Sequence, residues 1–188
     1  EYKDDIVIID MGLQWPDEDM PGIDYLIPNV AYLKSKKANI RGIIITHGHY
    51  DHIGAIPHLL EPLGHPIIYT TALTRGMIMK RQEDFPEAGK PKIEIVTTDT
   101  RLKLGSFDVE FFHVNHNIPD SVGVFLKTPV GNVVHTGDWK FDHTPVNERP
   151  ADVARLKEIG KEGTLLLVSD STDSQFEGHQ ISEAEVQL

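Results

Sequence analysis

The sequence predicts a strand-rich α/β domain, and three observations carry that reading. With 39% hydrophobic and 25% charged residues in a chain of 188, the composition is that of one globular domain with a core to bury. The apolar runs at 6–9, 43–45 and 165–168 are strand-sized, well short of the roughly twenty residues a membrane span requires. Turns rich in Gly, Pro and Asn separate those runs from a few helical patterns.

Taken in order, residues 6–9 read as a buried strand ending at Asp10. Residues 11–29 are rich in Pro, Gly and acids and form a long loop, a kind of segment that is often functional in compact domains. A short helix is expected over 29–37, then a strand over 42–46 whose end delivers a histidine-rich run. A helix over 53–60 follows despite Pro57, then a strand over 66–71, a helix from Ala72 to about Asp84, and a strand over 93–97. Residues 102–104 and 107–114, joined at Gly105-Ser106, read as a hairpin; 123–127 and 132–135, joined at 129–131, read as a second. A helix over 150–159 opens with Pro150 in its first turn and ends near Gly160. A buried strand over 164–168 runs into Ser169-Asp170-Ser171-Thr172.

The chain holds no cysteine, so a metal would be bound by histidine and carboxylate, and disulfides are excluded. The first residues lack the pattern of a leader peptide, which together with the missing cysteines points to the cytoplasm. A net charge of −11 argues against broad capture of nucleic acid. Bound divalent cations would reverse that sign locally. Ten histidines are many for this length.

Four candidate ligands stand within six residues in His47-Gly-His-Tyr-Asp-His52, where a β-branched strand gives way to a glycine-bearing loop and a helix. The i, i+2 spacing of His47 and His49 suits extended backbone with both side chains on one face. Asp51 and His52, adjacent in sequence, are expected to point apart and to serve a second ion. A polar loop with Asp51 as a helix cap is the blander alternative, which three histidines and an aspartate at this spacing outweigh. Taken alone, Asp10 reads as a turn residue, Asp138 as a Gly-Asp turn and Asp170 as a turn or cap. His116 competes with His113 for any role as a ligand.

The run at 47–52 resembles the signature of the metallo-β-lactamase superfamily. Asp10 at the end of an early strand, His116 after a later one and Asp138 in His135-Thr-Gly-Asp-Trp fall in that family's order. A finer resemblance is to the ribonuclease J family of the beta-CASP branch. It rests on Asp10-Met-Gly-Leu-Gln-Trp-Pro-Asp-Glu-Asp-Met-Pro-Gly-Ile-Asp, Thr46-His-Gly-His-Tyr-Asp-His-Ile-Gly-Ala-Ile-Pro, His116-Asn-Ile-Pro-Asp-Ser, His135-Thr-Gly-Asp-Trp-Lys-Phe-Asp and Ser169-Asp-Ser-Thr, and covers nearly the whole chain. A tyrosine at position 50 departs from the acidic residue common there; it is expected to tune access.

The resemblance implies a partial αββα sandwich over 1–168 and the start of a beta-CASP insertion over 169–188, with Asp170 as the acidic residue that opens the insertion or meets RNA. It implies that His47, His49 and His116 hold one divalent ion, that Asp51 and His52 hold a second, and that Asp138 bridges them, zinc being favoured and manganese also accepted. Asp51, Asp138 and Asp10 are the expected catalytic carboxylates, Asp10 orienting ligands or the attacking water. The implied activity is a metal-dependent endonuclease and 5′ exonuclease for RNA decay and processing, cytoplasmic, homo-oligomeric at full length and not bound to a membrane. A last ligand histidine and the proton donor are expected beyond Leu188. Two alternatives stay open: a small-molecule metallohydrolase of the same fold, such as a thioesterase or lactonase, and a non-catalytic RNA-binding paralogue.

Overall fold

Strand β1 (Ile6–Ile9) pairs in parallel with β2 (Ile40–Ile44), which pairs with β3 (Ile68–Thr70), which pairs with β4 (Ile93–Ile95). This computed structural model describes residues 1–186, and the chain forms two compact units that divide after Val96. Residues 187 and 188, the end of the stretch expected to begin a beta-CASP insertion, lie outside the described residues. Ile43, Ile44 and Ile45 are fully buried, as the continuous apolar run of a parallel strand requires.

In this first unit the expected helix over 29–37 shortens to α1 (Ala31–Lys34), whose second residue upstream, Asn29, accepts the Ala31 N–H at 2.9 Å; a 3₁₀ turn over Lys37–Asn39 follows. The single helix expected over 53–60 is two: α2 (Tyr50–Ile53) begins directly after the extended His49, and α3 (Ile56–Leu63) starts after the turn at Gly54-Ala55. Pro57 fits the first turn of α3, where its missing N–H costs nothing. Ile56, Leu59, Leu60 and Leu63 form the buried stripe of α3, and Gly64 closes it in the left-handed conformation. With Ile43, Ile45, Ile53, Ile68 and Ile78 of α4 (Ala72–Gln82), they make the core.

The second unit is a five-stranded sheet: β5 (Arg101–Leu104), β6 (Phe107–His113), β7 (Val122–Thr128) and β8 (Gly131–His135) run antiparallel, and β9 (Leu166–Val168) lies parallel to β8 at the edge. Both hairpins form where expected, the first turning at Gly105, whose φ of 61° suits a residue without Cβ. Phe112, Val114, Phe125 and Val134 pack on Ile159 of α5 (Val153–Glu162), with Trp139 and Leu156 at the margin. Helix α5 begins later than the sequence predicted. Asp152 caps it by accepting the Arg155 N–H at 3.0 Å, so Pro150 stays outside, and the helix runs past Gly160 to Glu162.

Strand β9 also departs from expectation. Predicted as buried, it stands at the edge of the sheet, paired with β8, and leaves Leu166 52%, Leu167 60% and Val168 41% exposed. A four-residue helix, α6 (Glu183–Val186), follows. Among the described residues no helix is long and apolar enough to cross a membrane.

Candidate metal centre

In the first unit the site begins with a backbone device. Asp10, just past β1, has a φ of 61°, the left-handed region that aspartate enters more readily than most residues. Its N–H donates to the Ile44 carbonyl, which fixes the loop against the end of β2. One carboxylate oxygen accepts the Thr46 N–H at 2.8 Å; the other accepts the Thr46 hydroxyl at 2.9 Å and faces His52 Nδ1 at 2.8 Å. The Thr46 hydroxyl also lies 3.0 Å from His47 Nδ1.

Counting protons assigns the two ring tautomers. An ionised carboxylate can only accept, so the single hydroxyl proton of Thr46 goes to Asp10, and the Thr46 oxygen must accept from His47 Nδ1–H. His52 likewise donates its Nδ1–H to Asp10. In its neutral form each ring then carries the lone pair on Nε2, the form in which imidazole binds a metal, and a carboxylate behind the ring is the usual way of fixing that form.

What those nitrogens face is consistent with a cation. His47 is fully buried, and its Nε2 lies 3.1 Å from His49 Nδ1, as the i, i+2 spacing on extended backbone anticipates. The ligand atoms of His47 and His52 fall within 4.8 Å of one another. Asp51 and His52 do not point apart as expected: Asp51 Oδ2 and His52 Nε2 come within 3.5 Å. Both sit in the first turn of α2, and the exposed Asp51 carboxylate swings back towards the ring.

The loop after Asp10 clasps this run. Met11 N–H donates to His52 O, Leu13 N–H to Tyr50 O, and Ala55 N–H to Met11 O, at 2.8, 3.1 and 3.0 Å. Gly12 lies at the crossing, where a Cβ would stand 1.5 Å from the Asp51 carbonyl oxygen. The long loop expected over 11–29 thus contributes its first three residues to holding the histidines. Thr46 and Gly12 are the two residues the sequence reading passed over. The signal for Thr46 was a hydroxyl at the polar end of a β-branched strand, next to the first histidine; for Gly12, a glycine two residues after a strand-end aspartate.

In the second unit, His116 and Asp138 stand together, with 3.7 Å between Nε2 and Oδ2. His113, the competitor, is committed elsewhere: its Nε2 lies 2.8 Å from the Arg149 carbonyl and the side chain is nearly covered. Gly137, at φ 61°, turns the chain into Asp138 while its N–H donates to His135 Nδ1 at 3.0 Å. Asp170 reaches this loop: its N–H donates to the Thr136 hydroxyl at 3.2 Å, and its carboxylate accepts the Trp139 N–H at 3.4 Å and both the N–H and hydroxyl of Thr172. Asp170 thus braces the segment that carries Asp138.

Each unit therefore supplies imidazole nitrogen and carboxylate oxygen, in tautomers set by neighbours in the case of His47 and His52, and no thiolate. That donor set fits divalent zinc or manganese.

Comparison with known proteins agrees with these features. The family model described as "Metallo-beta-lactamase superfamily" matches residues 1–174. The chain is 39% identical over 191 residues to ribonuclease J of Thermus thermophilus, covering 98% of this chain and 33% of that protein. It is 42% identical over 184 residues to ribonuclease J of Helicobacter pylori, covering 96% and 26%. The chain thus spans about a third or less of the length of these curated relatives. Among solved structures, the MIM-2 metallo-beta-lactamase superposes with a TM-score of 0.51 at 19% identity, over 72% of this chain and 52% of that one, a likeness of fold. With the signature histidines on the loop after β2 and a family match over nearly its whole length, the chain belongs to the metallo-beta-lactamase superfamily.

Proposed function

We propose that this chain is the metal-binding part of a ribonuclease that hydrolyses RNA phosphodiester bonds. The observation that carries the proposal is the pair of contacts by which Asp10 and Thr46 engage Nδ1 of His52 and His47, leaving Nε2 of each ring turned towards the other ligands, on a chain about 40% identical to proteins named ribonuclease J. In this reading His47, His49 and His116 hold one ion, Asp51 and His52 a second, and Asp138 bridges them. Two divalent ions so held would lower the pKa of an attacking water and supply positive charge to the phosphate oxygens. They would also offset the net charge of −11 where a polyanion must approach.

The chain's own residues do the positioning. Asp10 and Thr46 engage Nδ1 of His52 and His47 and so turn Nε2 of each ring towards the ion, and the clasp at 11–13 holds those rings in place. Asp170 braces the loop of Asp138 at the start of what we read as a beta-CASP insertion, so that residues 1–168 form the metallo-β-lactamase part. Endonucleolytic and 5′ exonucleolytic cutting, a homo-oligomeric whole protein in the cytoplasm, and zinc ahead of manganese belong to the same proposal.

The test uses the whole protein loaded with zinc or manganese and 5′-monophosphorylated RNA. Cleavage is expected, together with close to two ions per chain by elemental analysis. Asp138→Ala is expected to abolish cleavage and remove one or both ions. Intact RNA alongside an opened lactam or thioester would overturn the proposal in favour of a small-molecule hydrolase. A protein with neither metal nor cleavage would be a binding paralogue.

A further inference from the structure

Asn115 is fully buried, and nothing in the metal-binding reading uses it. Its side chain spans to the segment that leads into α5: Oδ1 accepts the Ala151 N–H at 2.6 Å, and Nδ2 donates to the Arg149 carbonyl at 2.9 Å. Its main chain forms an isolated antiparallel bridge with Lys140, whose N–H donates to the Asn115 carbonyl at 2.8 Å. Asn115 therefore joins three stretches: the end of β6, the loop after β8, and the approach to α5.

The placement of this junction is what matters. His116 follows Asn115 directly, and Asp138 precedes Lys140 by two residues. The bridge at Asn115 and Lys140 thus sits one residue from His116 on one stretch and two residues from Asp138 on the other, whose Nε2 and Oδ2 stand 3.7 Å apart. One main-chain bond alone could pivot. The Asn115 amide removes that freedom by tying the bridge to 149–151, where its bond to the Ala151 N–H is buried and its bond to the Arg149 carbonyl partly so, which makes them costly to lose. His113 reinforces the same carbonyl of Arg149 from β6.

We propose that Asn115 is a positioning residue that holds His116 and Asp138 at the separation a shared divalent ion requires. The inference rests on the metal-binding reading above and adds a residue to it. Asparagine suits the task because it offers one acceptor and one donor on a short, stiff stem; aspartate keeps the acceptor but sets a carboxylate against the Arg149 carbonyl.

The experiment measures zinc affinity of the whole protein by competition with a chromophoric chelator, and thermal midpoints of the metal-free form. Asn115→Ala and Asn115→Asp are expected to bind zinc about 10–100-fold more weakly than the parent, the range typical of residues that orient metal ligands. Ile159→Ala, a core truncation in the same unit, is expected to lower the thermal midpoint at least as much while leaving zinc affinity at the parental value. Should both Asn115 variants fail to fold, the pair at Lys140 decides: Lys140→Ala keeps the bridging N–H and should bind like the parent, whereas Lys140→Pro removes it and should weaken zinc by a similar factor. Parental affinity in the Asn115 variants, or in Lys140→Pro, overturns the proposal, as does an affinity loss in Ile159→Ala that tracks its loss of stability. A parent that binds no zinc at all overturns the metal-binding reading itself.

Discussion

A carboxylate in left-handed backbone, a buried threonine and a glycine against a carbonyl together decide how His47 and His52 present themselves. Asp10→Asn separates charge from shape. Asparagine tolerates the φ of 61°, but its amide has one acceptor where the carboxylate has two, so either the Thr46 N–H, or the Thr46 hydroxyl and His52 Nδ1–H together, lose their partner. Zinc affinity is expected to fall about 10–100-fold, read by chelator competition, with the fold intact by circular dichroism. An Asp10→Asn protein that bound zinc like the parent would sink the tautomer argument. Gly12→Ala tests the clasp. Its obstacle is main chain at 1.5 Å, which cannot rotate away, so the cost should exceed the roughly 1–3 kcal/mol usual for overpacking, measured by urea unfolding.

His58 of α3 has its Nε2 3.0 Å from the hydroxyl of Tyr25, in the long loop, and its ring edge-on at 4.7 Å to Phe85, just past the end of α4. Burial, and secondarily the positive charge of Arg81, hold the His58 pKa below its ordinary 6.5. Between that lowered value and 6.5 the unfolded chain binds more protons than the folded one. Stability from this residue is therefore present above pH 6.5 and is lost as pH falls towards the folded value. Urea unfolding at pH 7.5 and 5.5 should show the loss in the parent and a smaller one in His58→Gln; equal slopes would exclude His58 as the cause. On α4 itself, Gly76 faces open space in a helix interior, so Gly76→Ala should stabilise by about 0.5–1 kcal/mol in the same assay.

Much of the molecule was legible where the signal is local. Two hairpins, the positions of the first unit's strands and the His47–His49 pairing follow from periodicity and turn residues. Partnerships across distance were not: Thr46 meets Asp10, and Ala151 meets Asn115, each across 36 positions, and no spacing rule reveals such a bond. The run at 165–168 failed for another reason, since hydrophobicity records a preference for cover and not whether the fold supplies it. This edge sets the behaviour of the chain as a solute. Its side chains are more than two-fifths exposed, uncharged and free of proline, beside a row of main-chain groups that no other strand among the described residues pairs, which is a template for strand addition. Opposing it is the net charge of −11, whose reach shrinks to about 10 Å in 0.1 M salt. The 188-residue chain is therefore expected to self-associate increasingly as sodium chloride is raised, seen by light scattering. Leu166→Glu places a charge on β9 opposite Val133 and should suppress that rise while moving the urea midpoint little, within about 0.5 kcal/mol. Scattering that falls with salt, or that is unchanged in Leu166→Glu, would locate the association elsewhere on the surface.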